Sequence, residues 1–200
     1  MPRHLLRSVF LLALFAGTLG VAAPALAADQ PFSVRFAQTV RGSINAVGNQ
    51  LPTCPAAAAG CTDARNRVGT TGTLNNNYNM GYVDVDSDAA TVNSSTSTLS
   101  LPAGATVVWA GLYWGADTAA GTGGSAAPDA ANRGTVRFKV DSGGYQTVTA
   151  APADVLTSTG RDTRYRAFAN VTSLLPAAGN ATYTVADVQT GRGDDRFAGW

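Results

Sequence analysis

The sequence predicts an all-β protein, a jelly-roll-like sandwich of two sheets formed by residues 28–200. Three observations carry that reading. All 13 acidic side chains are Asp and Lys139 is the only lysine, while Thr, Val, Gly and Asn abound, which suits strands and turns. Several short runs alternate apolar and polar residues between Gly- and Asn-rich turns, and no periodic run reaches helix length. Ala105–Ala116, ATVVWAGLYWGA, is the densest apolar run outside the N-terminus and reads as the central strand.

In that run Val107, Trp109 and Tyr113 share one face of an extended chain, and Val108, Leu112 and Trp114 the other. Apolar residues on both faces predict a strand covered on both sides. A helix is disfavoured by Trp, Tyr, Val and the internal Gly111. Leu101-Pro102-Ala103-Gly104 suits a type I turn leading into it.

The N-terminus reads as an address. Arg3, His4 and Arg7 precede the apolar Ser8–Ala23, and Ala25-Leu26-Ala27 is a small-x-small cleavage site. Residues 1–27 therefore form a secretory signal peptide, and the mature chain is secreted or displayed at the cell surface. It then contains no histidine, and no second apolar run is long enough for a stable membrane span. Cys54 and Cys61 both lie in the exported part, where a disulfide is the default. Closing so short a loop stabilises by about 2–3 kcal/mol at best.

The mature chain follows in order. Phe32–Phe36 alternates and reads as a first strand, with Val40–Val47 continuing it. Gly48–Asn77 is a long loop holding the disulfide. Tyr78–Asp86 reads as a strand, and Thr98–Leu101 leads to the turn before the central strand. Asp117–Ala131 is a second Gly/Ala/Ser loop. Val136, Phe138 and Val140 point inward, with Arg137 and Lys139 outward, and Asp141–Gly144 turns into Tyr145–Thr149. Tyr165–Val171 and Ala181–Val188 are further strands, and Pro176 limits Val171–Asn180 to a single helical turn. Arg196–Trp200 reads as a strand beginning, so the domain is expected to be incomplete at its C-terminus.

LPAGATVVWAGLYWGAD, YVDVDSD followed by NSST, and DDRFAGW together resemble the N-terminal region of large exported surface proteins of Gram-positive, mainly actinobacterial, cells. The likeness runs from about Phe32 to Trp200. In those proteins the region precedes repeated β-sandwich domains of uncharacterised function, and often a wall-sorting or membrane tail. The sequence ends at Trp200, before any such region, so wall attachment is not carried over from the resemblance. Separately, NVTSLLPAAGNATYTVADV resembles a strand–turn–strand of jelly-roll sugar-binding modules.

Chemistry is mostly narrowed by absence. With no histidine in the expected mature chain and no Glu, His-based triads and His metal sites are removed, and Asp is the only carboxylate side chain. No Asp residues are paired in the pattern a glycosidase needs. Val140-Asp141-Ser142-Gly143 is half of an aspartic-protease signature, but such residues more simply make a hairpin turn. Lys139 is read as a solvated strand lysine and not as a crosslink donor. Arg192-Gly193-Asp194 spells the integrin-binding tripeptide and is read as a loop. Asn93, Asn170 and Asn180 lie in N-x-Ser/Thr sequons. A net charge of +1 gives no reason to expect nucleic acid as a partner.

Calcium is the one cofactor the residues suggest. Asp84, Asp86 and Asp88 share one side of an extended segment, and a bend would gather their carboxylates. An EF-hand is excluded by Ala89 and Ser95 at its Gly and Glu positions. The rival reading is a solvated polar face. The expected function is a non-catalytic, exported, cell-surface structural or adhesive module, its partner a cell-wall or extracellular glycan or protein. The alternative is a carbohydrate-binding jelly roll, calcium-supported, that stacks sugars on Trp109, Tyr113 or Trp114. Solvent exposure of those three rings separates the two.

Overall fold

Among the described residues, short strands and one brief α-helix follow one another: β1 (Pro52–Thr53), α1 (Cys61–Asn66), β2 (Gly81–Tyr82), β3 (Ser94–Leu99), β4 (Gly111–Asp117), β5 (Thr135–Val140), β6 (Gln146–Thr149), β7 (Val155–Ser158), β8 (Arg161–Asn170), β9 (Ala181–Ala186) and β10 (Ala198–Gly199). This is a computed structural model, and it describes residues 33–69, 77–158 and 160–200. The expected signal peptide, Phe32 and residues 70–76 of the first long loop lie outside the described residues.

Two antiparallel four-stranded sheets face each other, ordered β10-β4-β8-β7 and β3-β9-β5-β6, with β1-β2 as a separate ribbon. This is the expected all-β sandwich. Each sheet turns one side of its alternating residues inward. The first sheet contributes Leu112, Trp114, Ala116, Tyr165 and Ala167; the second contributes Val136, Phe138, Val148, Tyr183 and Val185, all buried in one cluster. Phe138 and Tyr183 stack at 5.8 Å, and the Trp114 indole N–H donates to the Arg133 carbonyl at 2.9 Å. Beside β10, Asn49–Leu51 extends the first sheet through hydrogen bonds from Leu51 N–H to Ala198 and between Asn49 and Trp200.

The central strand differs from expectation. It begins at Gly111, not Ala105, and only its Leu112–Trp114–Ala116 side is covered by the other sheet. Tyr113, on the other side, is 54 % exposed, and Val108 is 50 % exposed. Trp109 lies before the strand and folds back over Gly111, where a Cβ would come within 2.5 Å of its ring. Trp109 is thus half-buried by neighbours on the outer face, not by a second layer. The turn before it is shifted by one residue, with Ala105 N–H bonded to the Pro102 carbonyl.

Residues 33–47 form no strand. Their hold on the sheet comes from side chains: Phe36 stacks on Trp109 at 5.7 Å and Arg35 lies 4.6 Å over the Phe168 ring. Within Tyr78–Asp86 only β2 is regular, flanked by single bridges from Met80 to Gly193 and from Asp84 to Ser94. The hairpin β5–β6, the inward Val136 and Phe138 and the single turn at Thr172–Leu174 are as read. The strand β7 at the sheet edge was not anticipated.

Cys54 and Cys61 form the expected disulfide. Both are buried with Tyr78 in a small cluster of their own, so the bridge fixes the loop around α1 and not the main core.

Candidate ligand-binding face

On the outer side of the first sheet, register places the side chains in rows. Tyr113 lies opposite Phe168; Gly199, Gly115 and Arg166 form the next row; Asp117 lies opposite Arg164 in the row after. Phe197, two residues before Gly199, belongs to that third row, and its carbonyl accepts from Asp117 N–H. Successive rows on one face are about 7 Å apart, so the bare glycine row is a trough between two walls. One wall is Tyr113 and Phe168, whose rings meet at 4.8 Å. The other is Phe197, 42 % exposed, with the Arg164 guanidinium 5.5 Å above its ring.

Gly115 is bare for a structural reason. A Cβ there would stand 2.7 Å from the Tyr165 carbonyl oxygen, so the close approach of β4 and β8 requires glycine. The consequence is a shallow open groove of about 370 Å³, lined mainly by apolar atoms of Tyr113, Trp114, Gly115, Arg166, Gly199 and Trp200. Arg166 is exposed, and among the described residues no carboxylate meets it.

Of the three rings expected to stack sugars, the structure leaves one available. Trp114 is 2 % exposed, an inward core residue, because strand alternation sets it on the opposite side from Tyr113. Trp109 has ring neighbours on both sides, Phe36 at 5.7 Å and Phe168 at 6.2 Å. Tyr113 keeps an open ring. Arg166, Phe168 and Phe197 were not singled out from the sequence. The alternation Arg164-Tyr165-Arg166-Ala167-Phe168, with the aromatic Tyr165 inward, was the signal that could have found the first two.

The end of this face is braced by Asp117. Its side chain is 4 % exposed and pairs with Arg164 at 3.2 Å and Arg196 at 3.0 Å. Burial pushes its carboxyl up, but hydrogen bonds from Ala119 N–H, Thr163 and Arg164, with the charge of Arg196, outweigh this and hold it below the usual carboxylate range. The Arg192-Gly193-Asp194 tripeptide is built into the same end. Arg192 N–H donates to Ser125, Gly193 exchanges both backbone bonds with Met80, and the Asp194 carboxylate accepts from Thr122 N–H. An adhesion receptor would need that carboxylate free.

Asp84, Asp86 and Asp88 lie on a loop over the outer face of the second sheet, not on an extended strand. The bend does gather two of them, since the Ser94 hydroxyl is 2.9 Å from Oδ1 of both Asp84 and Asp86. Asp88 turns away to accept from Ala90 N–H. Asp86 already has a cation: Lys139 Nζ is 3.3 Å away, beneath the same carboxylate that takes the Tyr145 hydroxyl. Burial raises the Asp86 carboxyl, while Tyr145, Ser94, Asp88 N–H and Lys139 pull it well below the ordinary range. Lys139 is therefore outward, as read, but an ion-pair partner that also lies 4.5 Å over the Tyr145 ring. Among the described residues, no group of three carboxylate, Cys or His side chains is placed to hold a metal.

The remaining motifs are structural. Asp141 Oδ1 accepts from Thr182 N–H at 2.8 Å, so the protease-like loop ties β5 to β9. Asn93 exchanges two hydrogen bonds with the Val188 backbone and Asn180 does the same with Leu101, each mimicking a strand neighbour. Asn93 is buried, while Asn170 and Asn180 are exposed. No protein-family model, curated protein or solved structure matches this chain.

Proposed function

We propose that this chain is a non-catalytic module of an exported cell-surface protein, adhesive through the outer face of its first sheet. The observation that carries the reading is the open trough floored by Gly115 and Gly199 and lined by the exposed Tyr113, with the exposed Phe197 in the next row of the same face. Shallow grooves with exposed aromatic rings suit the flat, weakly polar faces of sugars, so the partner is a glycan of the wall or the extracellular space. The resemblance to the N-terminal region of actinobacterial surface proteins, the signal-peptide pattern and the disulfide support an exported setting. Non-catalysis is supported by the engagement of Asp86, Asp117, Asp141 and Asp187 in ion pairs and backbone hydrogen bonds.

The carbohydrate-binding jelly roll is the specific form of this proposal. Its support is the path of the chain: β3 lies in the second sheet, β4 in the first, β5–β6 in the second, β7–β8 in the first, β9 in the second and β10 in the first. Such repeated crossing is how a double Greek-key sandwich is wound. Calcium has no role in this proposal, because Lys139 already meets the charge of Asp86. A glycan array probed with the oxidised chain, wild type and Tyr113→Ala, tests it. Binding that Tyr113→Ala abolishes supports it, whereas binding untouched by that change, or no glycan bound, contradicts it.

A further inference from the structure

The two outer faces of the sandwich carry opposite charge. On the second sheet, Asp84, Asp86, Asp88 and Asp187 are met, among the described residues, by the cations Lys139 and Arg137 alone. On the first, Arg164, Arg166 and Phe168 point outward in turn along β8, and Arg35 reaches across to lie over Phe168. Among the described residues, two carboxylates answer these guanidiniums. Asp154 is taken by Arg35, and Asp117 is shared between Arg164 and Arg196. Arg166 is left over, exposed, at the end of the glycine row. The chain as a whole carries only +1, so this asymmetry is a matter of placement and not of composition.

Resting on the glycan reading above, we propose that the trough takes an acidic polysaccharide, with a carboxylate or sulfate of the sugar held by Arg166 and a sugar face laid on Tyr113. A guanidinium fork fits an oxyanion with two parallel hydrogen bonds, and its own charge lowers the cost of desolvating that anion. Tyr113 and Arg166 lie in adjacent rows and on adjacent strands, so one sugar unit and its acidic substituent can reach both. The groove is shallow and floored by two glycines, so the proposed occupant is a single extended chain laid across Gly199 and Gly115 rather than a duplex. The acidic second face faces away and repels the same polymer, which fixes the side that binds.

The test is a binding series with the oxidised chain against polygalacturonate, chondroitin sulfate, neutral dextran and duplex DNA, at two salt concentrations. The expected result is binding of one or both acidic polysaccharides, weakened by salt, at least tenfold tighter than dextran and DNA. Arg166→Glu is expected to weaken it by about tenfold or more, the scale of one charge-assisted hydrogen-bonded pair, with Arg166→Gln intermediate. Asp88→Asn, on the opposite face, is expected to leave binding unchanged. Carboxylated against sulfated polymer identifies which oxyanion is read. Equal binding of duplex DNA, or wild-type affinity in both Arg166 variants, overturns the proposal. Dextran bound as tightly as the acidic polymers, and lost in Tyr113→Ala, overturns it while leaving the glycan reading standing. No polymer bound contradicts both.

Discussion

Asp117 Oδ2 sits 3.0 Å from Arg196 Nη1 and 3.2 Å from Arg164 Nε, so one buried carboxylate joins the end of β4 to β8 and to the segment before β10. Its Oδ1 also accepts from Ala119 N–H, which starts the loop that packs against Gly191–Asp194. Removing the carboxylate leaves two guanidiniums without it in a water-poor site. Asp117→Ala is expected to destabilise by about 3–5 kcal/mol, the range for breaking one side of a buried pair. Urea unfolding of the variant checks this. A loss under 1 kcal/mol would mean the loops hold without the brace.

The same group sets an acid limit. The folded pKa of Asp117 is depressed below the unfolded value of about 3.9, and that of Asp86 likewise. A depressed carboxyl contributes stability that is fully present above the unfolded pKa and is lost as pH falls through the folded one. Stability is therefore expected to be flat from neutral pH to about 5 and to fall below about 4. Asp117→Asn should flatten the acid limb of a melting-temperature profile. An unchanged slope in that variant would assign the acid loss to other groups.

Trp114 and Trp109 should separate in cost. Trp114 is buried in the main cluster, and its replacement by Ala is expected to cost about 3–5 kcal/mol. Trp109 is half-buried on the outer face and covers Gly111. Trp109→Ala is expected to cost about 1–2 kcal/mol, in proportion to the area it buries. Equal costs would return Trp109 to the core.

The disulfide should act locally. Intact mass after alkylation, with and without reductant, is expected to show Cys54 and Cys61 bonded. Replacing both by Ser is expected to cost no more than about 2–3 kcal/mol, given the short loop. Tryptic cleavage is expected to appear first at Arg65, in the last turn of the helix that Cys61 begins, and at Arg67, its C-cap. First cleavage in the main sandwich would show that the bridge supports the whole fold.

The Asp84–Asp88 loop is expected to be stabilised by Lys139 and not by calcium. The melting temperature should be the same in chelator and in millimolar calcium, and Lys139→Met should lower it. A calcium-dependent rise would replace the lysine with a metal in this account.

What the sequence showed follows the physics of each element. Alternation alone placed Val136, Phe138 and Val140 inward with Arg137 and Lys139 outward, because a strand has one geometry. The Cys pair was legible because both residues lie beyond the N-terminal stretch that reads as an address, a few residues apart. Alternation failed at residues 33–36 and at Ala105–Ala110, where apolar residues find partners through rings lying on a sheet face and not through a ladder. Phe36 on Trp109 is a contact between segments far apart in sequence, and no local pattern encodes it. The trough was illegible for the same reason. It depends on Gly199 pairing with Gly115, and Gly115 with Arg166, which only the register of three strands brings together.

The most direct test of the central claim is footprinting of the first sheet's outer face. The oxidised chain would be oxidised by hydroxyl radicals free and when bound to purified cell walls, with modification read residue by residue by mass spectrometry. Tyr113 and Phe197, both exposed in the free chain, are expected to be protected on binding, while Tyr145 on the opposite face is not. Unchanged modification of Tyr113 and Phe197 in the bound chain would contradict the assignment of this face as the adhesive one.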